Sequence, residues 1–104
     1  MKKATANPST VQANTELVAA ISGKKIRVFG WFISSDVQQT VTLEGASNAT
    51  EIRFYVGARG GMIHNPDQGV DKVPMIDLAD NVALDFSTSA ATGNTFIAVW
   101  YEQA

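Results

Sequence analysis

Two short segments of the chain carry large apolar side chains on both faces when they are read as β-strands. The first is "IRVFGWFI" at 26 to 33, and the second is "TFIAVWY" at 95 to 101. In a two-layer β-sandwich each strand turns one face to the core, and the other face is normally polar. A chain of 104 residues buries a single core. Something other than that core must therefore cover the second face of these strands.

Three explanations for the second face are open. A loop of the same chain, in particular the long segment 60 to 81, could lie over it. Identical subunits could bury it, or it could be an exposed aromatic platform for sugars, which we favour least. Gly30 lies inside the first segment, where a glycine often marks a bulge or the close approach of another backbone. An uncovered patch of this kind promotes association, so some cover is expected.

The subunit explanation predicts an interface on the second face of the two strands and on the outer face of a neighbouring strand. The predicted interface contains odd-numbered residues of both strands. It also contains two arginines and a tyrosine of the neighbouring strand. The predicted interface residues are Phe29, Trp31, Ile33, Arg53, Tyr55, Arg59, Ile97, Val99 and Tyr101. The alternative for the arginines and the tyrosine is a solvated strand exterior.

The rest of the chain alternates with a period of two between turn signals. "EIRFYVGAR" at 51 to 59 and "VALDFST" at 82 to 88 place apolar side chains on one face and polar ones on the other. Segment 10 to 21 fits a helix with a capping box, but it also alternates, and we prefer a strand. About eight short strands at this spacing indicate an all-β fold, a jelly-roll-like antiparallel β-sandwich.

The first residues, "MKKATANPS", are small and polar, and they contain no apolar stretch of the kind that a secretion signal needs. We predict a flexible N-terminal arm over 1 to 14 and a single β-sandwich domain over 15 to 104.

Composition excludes several classes of partner. The net charge is −2 and the basic residues are scattered, so a nucleic-acid partner is not expected. The chain has no Cys, which excludes disulfides and thiolate metal sites. No apolar run approaches the ~20 residues of a membrane span. Charged residues make up only 17%, and a surface with so little charge suits permanent packing against neighbours.

The sequence contains few residues or motifs that indicate catalysis. His64 is the only histidine, and a surface or loop-packing role is the simplest explanation for it. Asp67 and Asp71 could join backbone carbonyls around calcium, but solvated turn carboxylates explain them better. Gly-x-Ser-x-Gly and phosphate-binding motifs are absent from the sequence. We therefore expect neither an enzyme nor a bound cofactor.

Two long stretches carry a family resemblance. "VAAISGKKIRVFGWFISSDVQQTVTLEGASN" begins at residue 18, and "LADNVALDFSTSAATGNTFIAVWYE" ends at residue 102. Together they resemble a group of small bacteriophage virion proteins, and the likeness spans about 15 to 102. It implies a jelly-roll-like sandwich on the phage particle, in a capsid decoration (cement) protein or an accessory part of fibres or tails. Such proteins are often trimers. "MIHNPDQGVDKVPM" departs from the shorter loop that this pattern implies.

The sequence thus predicts a structural protein of the virion that decorates the capsid as a homotrimer and binds the major capsid protein. It would act on the capsid surface, after assembly in the host cytoplasm. Residues of the N-terminal arm would make the capsid contact; they are Lys2, Lys3, Pro8, Thr10 and Val11. The alternative is a fibre or tail module that binds host glycan through exposed aromatics, and a β-sandwich with no viral role also fits.

Overall fold

The computed structural model describes residues 1–66 and 72–104, which contain nine β-strands and one short 3-10 turn at Ala46–Asn48. The strands are β1 (Lys2–Ala6), β2 (Gln12–Val18), β3 (Ile26–Ser35), β4 (Gln39–Glu44), β5 (Thr50–Val56), β6 (Gly60–His64), β7 (Ile76–Asp77), β8 (Leu84–Thr88) and β9 (Thr95–Gln103). The all-β prediction is confirmed. The preference for a strand near the N-terminus is also confirmed, because β2 lies within 10 to 21.

The strands form two antiparallel sheets. The first sheet has the order β1-β9-β3-β6, with β7 paired to one end of β3, and the second has the order β2-β8-β4-β5. When the short β7 is set aside, the eight remaining strands follow the jelly-roll order. The first sheet then holds strands 1-8-3-6 in chain order and the second holds strands 2-7-4-5.

The hydrophobic core lies between the two sheets and takes side chains from both. Its largest fully enclosed members are aliphatic, and burial of each contributes roughly 1.5–3 kcal/mol. They are Ile26, Val28, Ile33, Val41, Leu43, Leu84, Ile97 and Val99. At one end of the core, the buried amide of Gln39 donates hydrogen bonds to the hydroxyls of Ser35 and Thr95, which lie in the other sheet. The core therefore includes a satisfied polar link between the sheets.

A β-bulge in β3 explains why this strand reads as apolar on both faces. Val28 lies opposite Tyr101 and Gly30 lies opposite Trp100, so Phe29 is an extra residue without a partner of its own. The extra residue shifts the alternation by one position. Ile26 and Val28 face the core before the bulge, and Trp31 and Ile33 face it afterwards. Both pairs belong to one core, although the first pair has even residue numbers and the second pair has odd ones.

The predicted subunit interface is therefore corrected for most of its members. Five of the nine side chains are already enclosed by their own chain: Phe29 (3% exposed), Trp31 (6%), Ile33 (0%), Ile97 (0%) and Val99 (0%). A sixth, Tyr101, is half-buried and packs against the core. Strict alternation along β3 fails at the bulge, and in β9 the odd-numbered positions point inward rather than outward.

A segment of the same chain covers Phe29 on the outer side of the first sheet. The Nζ of Lys72 lies 5.5 Å from the centre of the Phe29 ring and 3.1 Å from a carboxylate oxygen of Glu102. The backbone N–H of Met75 donates to the carbonyl of Val28 at 2.7 Å. For this part of the strand the loop explanation holds, and the loop is the segment 64 to 75 in its described parts.

The N-terminal residues form part of the sandwich, which corrects the prediction of a flexible arm. β1 pairs with β9 from Lys2 opposite Tyr101 to Ala6 opposite Ile97. After β1, the carbonyl of Pro8 accepts a hydrogen bond from the N–H of Thr95 at 3.0 Å. Ala4 and Ala6 also pack against the core, but alanines give a weak signal in a hydropathy pattern and the backbone pairing gives none. The predicted boundary at residue 14 falls inside β2.

Replacing Gly30 by alanine tests the close approach of the covering segment. A Cβ at Gly30 would lie 2.5 Å from the His64 carbonyl oxygen and 2.7 Å from the Pro66 nitrogen, whereas a Cβ at Gly57 meets nothing within 4 Å. We expect Gly30→Ala to lower the free energy of unfolding by about 2 kcal/mol or more through overpacking. Gly57→Ala should change it by less than about 1 kcal/mol in either direction. Urea denaturation measures both values, and equal effects would contradict the packing of this segment on Gly30.

Replacing Lys72 by methionine tests whether its contacts with Phe29 and Glu102 stabilise the covering segment. The substitution keeps the apolar stem and removes the charge that meets both Phe29 and Glu102. We expect the free energy of unfolding to fall by about 1 kcal/mol, because a cation–π contact and a partly exposed ion pair are lost. Lys24→Met is the matched control, since Lys24 forms no ion pair with any described residue. A loss no larger than that of the control would show that the Lys72 contacts do not fasten the segment.

Candidate functional site

The outer side of the first sheet carries a group of large apolar side chains that we call the apolar face: Phe32, Ile63, Phe96 and Trp100. Ile63 in β6 lies opposite Phe32 in β3, and Phe32 lies opposite Ala98 in β9. The rings of Phe32 and Phe96 meet edge to face, with their centres 6.1 Å apart. After the bulge, Trp31 and Ile33 point into the core. Phe32, which lies between them, therefore points away from it.

The apolar face is only partly covered by its own chain. Ile63 is 63% exposed and Phe96 is 39% exposed, while Phe32 and Trp100 are half-buried. Ala98 lies beneath its neighbours and is buried. The face is therefore continuous across β6, β3 and β9. Because two exposed apolar side chains adjoin half-buried aromatic rings here, this side of the sheet is a candidate contact site.

β6, the edge strand that carries Ile63 of the apolar face, has no charged residue to block pairing with another chain. β1 carries Lys2 and Lys3, β5 carries Glu51 and Arg53, and β2 is interrupted by register shifts. β6 carries no Lys, Arg, Asp or Glu. Charges and bulges are the common devices that block edge-to-edge pairing, so β6 is the least protected of the four sheet edges.

Charged residues lie around the apolar face rather than within it. Arg27 and Asp77 approach each other to 3.4 Å at the β7 end of the sheet, where Lys72 and Glu102 also pair. Lys3 lies opposite Trp100 on the adjacent edge strand β1. An apolar centre with a charged rim is the usual arrangement of a protein–protein interface.

The outer side of the second sheet has a different character. The side chain of Tyr55 is 74% exposed on β5, opposite Thr40 of β4, and Thr42 lies opposite Arg53. A shallow groove of about 420 Å³ runs beside the tyrosine. Its lining residues are Gln38, Gln39, Thr40, Tyr55, Val56, Gly57 and Ser89.

The nine predicted interface residues consequently do not form one surface. Six are buried or half-buried in the first sheet, and Arg53 and Tyr55 are exposed on the outer side of the second sheet. Arg59 is exposed in the turn between β5 and β6, with a φ of 57°. Of the residues predicted to contact the capsid, Lys2, Lys3, Thr10 and Val11 are exposed, and Pro8 is half-buried.

The described residues offer little for catalysis or metal binding. Within 1–66 and 72–104, no three His, Cys, Asp or Glu side chains are grouped so that they could hold a metal ion. His64 ends β6 and packs against the indole of Trp31, with ring centres 5.2 Å apart. Asp67 and Asp71, the calcium candidates, lie outside the described residues. In the same parts of the chain, no helix has the length and hydrophobicity needed to cross a membrane.

The sequence interpretation missed the members of the apolar face, although it contained the signal that locates them. A glycine inside a strand, such as Gly30, indicates a bulge. Restarting the alternation after Gly30 turns Trp31 inward and Phe32 outward. The position of Ile63 had no comparable signal, because two glycines precede it and the strand is short.

Comparison of the chain with family models, with curated proteins and with solved structures finds no match in any of the three.

Proposed function

We propose that this chain is a structural protein that associates through its apolar face, and that it serves as a decoration (cement) protein on the capsid of a bacteriophage. The observation that carries the proposal is the apolar face itself, which extends over three strands and includes an edge strand without charge. The resemblance of the sequence to small phage virion proteins supplies the biological setting.

The chemistry of the face favours a protein partner. Aromatic residues are enriched at the centre of protein interfaces, while Lys, Glu and Asp are depleted there. Phe32, Phe96 and Trp100 supply three aromatic rings, and the ion pairs of Arg27 and Lys72 lie outside them. Large rings that are already held by neighbouring strands lose little side-chain entropy when they are buried, which favours their use as anchors.

We propose that the first partner is another copy of the same chain, in a homotrimer. Each copy would cover part of the apolar face of the next, and the exposed residues of β1 and the following loop would contact the major capsid protein. Three linked copies of a weak contact raise the apparent affinity by ~10²–10⁴ when the geometry lets all of them engage. Binding only to the assembled shell stabilises that shell by mass action, without chemistry.

A lysine in the apolar face should prevent the association. We expect Ile63→Lys to weaken each subunit contact by about 2 kcal/mol or more, because a charge would have to be buried. Sedimentation should then give the mass of one chain, while wild-type protein gives the mass of three. Val11→Lys is the matched control, since Val11 is similarly exposed (55%) but lies outside the face. Wild-type protein that stays monomeric at assembly concentrations would refute the subunit contact.

The cement function predicts a change in the stability of the phage head. Heads that lack the protein should rupture at a lower temperature than complete heads, and adding back purified wild-type protein should restore the difference. Ile63→Lys protein should fail to restore it, because single copies lose the linked contacts. Many copies per particle are expected, and only a few copies, or an unchanged rupture temperature, would exclude a cement function.

A further inference from the structure

We infer that the groove beside Tyr55, on the outer side of the second sheet, binds an acidic saccharide. This site lies on the opposite layer of the sandwich from the apolar face, and it does not depend on the proposed association. Its parts are one exposed aromatic ring, neutral hydroxyl and amide side chains on the neighbouring strands, and one arginine.

Tyr55 supplies a stacking surface. Its side chain is 74% exposed. The exterior around it carries the hydroxyls of Thr40 and Ser87, and the carboxylates Glu44 and Asp85 lie farther along the strands, at the end away from the tyrosine. The C–H groups on one side of a pyranose ring form a small apolar surface that an aromatic ring can cover. Aromatic side chains bury large areas and keep their polar tips hydrated, which suits a ligand that is apolar on one side and wet on the other.

Strand β4 and the residues just before β4 and just after β8 supply hydrogen-bonding groups around the tyrosine. Thr40 lies directly across from Tyr55, and side chains paired across strands are about 4.5–5.5 Å apart. The hydroxyl of Ser89 accepts a bond from the Thr40 N–H at 2.8 Å and keeps its own proton to donate. Gln38 adds an exposed amide to the same groove. Specific ligand orientation commonly relies on a few such polar groups.

Arg53 selects for a negative charge on the sugar. It precedes Tyr55 by two residues and therefore points to the same side of β5. Arg53 lines a second hollow of about 300 Å³, which adjoins the groove and shares Thr40, Tyr55 and Ser89 with it. No carboxylate of the described residues pairs with it, and its one side-chain hydrogen bond there is a long contact of 3.4 Å to Thr50. A guanidinium binds a carboxylate through two parallel hydrogen bonds, which fits a uronic or sialic acid unit.

The experiment is a calorimetric titration of the full chain with two probes: an oligosaccharide that contains a uronic or sialic acid unit, and its neutral counterpart. Wild-type protein should bind the acidic probe at least about tenfold more tightly. Tyr55→Ala should weaken binding of both probes by about tenfold or more, whereas Arg53→Gln should remove the preference for the acidic probe. Both residues are exposed, so the melting temperature of each variant should stay close to that of wild type.

Phe96→Ala is the matched control, because it removes an exposed aromatic ring from the other layer and should leave sugar binding unchanged. Ile63→Lys separates this inference from the proposed function: it should abolish association and keep the sugar affinity. The inference is overturned if neither probe binds at about 10 mM, a limit that lies beyond any useful affinity. It is also overturned if Tyr55→Ala binds both probes as wild type does, or if it loses capsid binding instead, since the groove would then dock a protein.

Discussion

The β-bulge at Phe29 is the feature on which the arrangement of the whole first sheet depends. One extra residue in β3 lets Ile26 and Val28 share a core with Trp31 and Ile33, although a regular strand would place the two pairs on opposite faces. Without the shift, half of this long strand would present its aliphatic side chains to solvent. The bulge thus lets both halves of this ten-residue strand contribute side chains to the same core.

The same bulge divides the outer side of the first sheet into a covered part and an open part. Phe29 lies on the covered part, beneath Lys72, where the absence of a side chain at Gly30 lets the backbone of His64 and Pro66 come close. Phe32 lies on the open part, with Phe96 beside it. The chain itself therefore covers the apolar surface of this sheet in one region and leaves it partly exposed in another.

Period-two alternation and turn residues were enough to predict the all-β class, the sandwich and the course of the longer strands, because each of those strands buries one face. They did not predict which face of β3 is buried, since a single inserted residue reverses the assignment for every later position. β1 was missed for a different reason. Its only apolar side chains are Ala4 and Ala6, which give a weak hydropathy signal, and it is held largely by backbone hydrogen bonds to β9 that no side-chain pattern records.

The two outer faces of the sandwich differ in a way that core packing does not require. A core needs only one apolar face from each sheet, so both exteriors are free to be polar. The second sheet follows this rule with Thr40, Thr42 and Ser87, apart from the exposed Tyr55. The first sheet exposes Phe96, and it places Ile63 on an edge strand without charge. The exposed parts of these side chains gain no burial in the isolated chain, and a contiguous exposed apolar patch raises the tendency to aggregate. The position of Phe96 and Ile63 on one exterior is the observation behind the proposed contact with another protein.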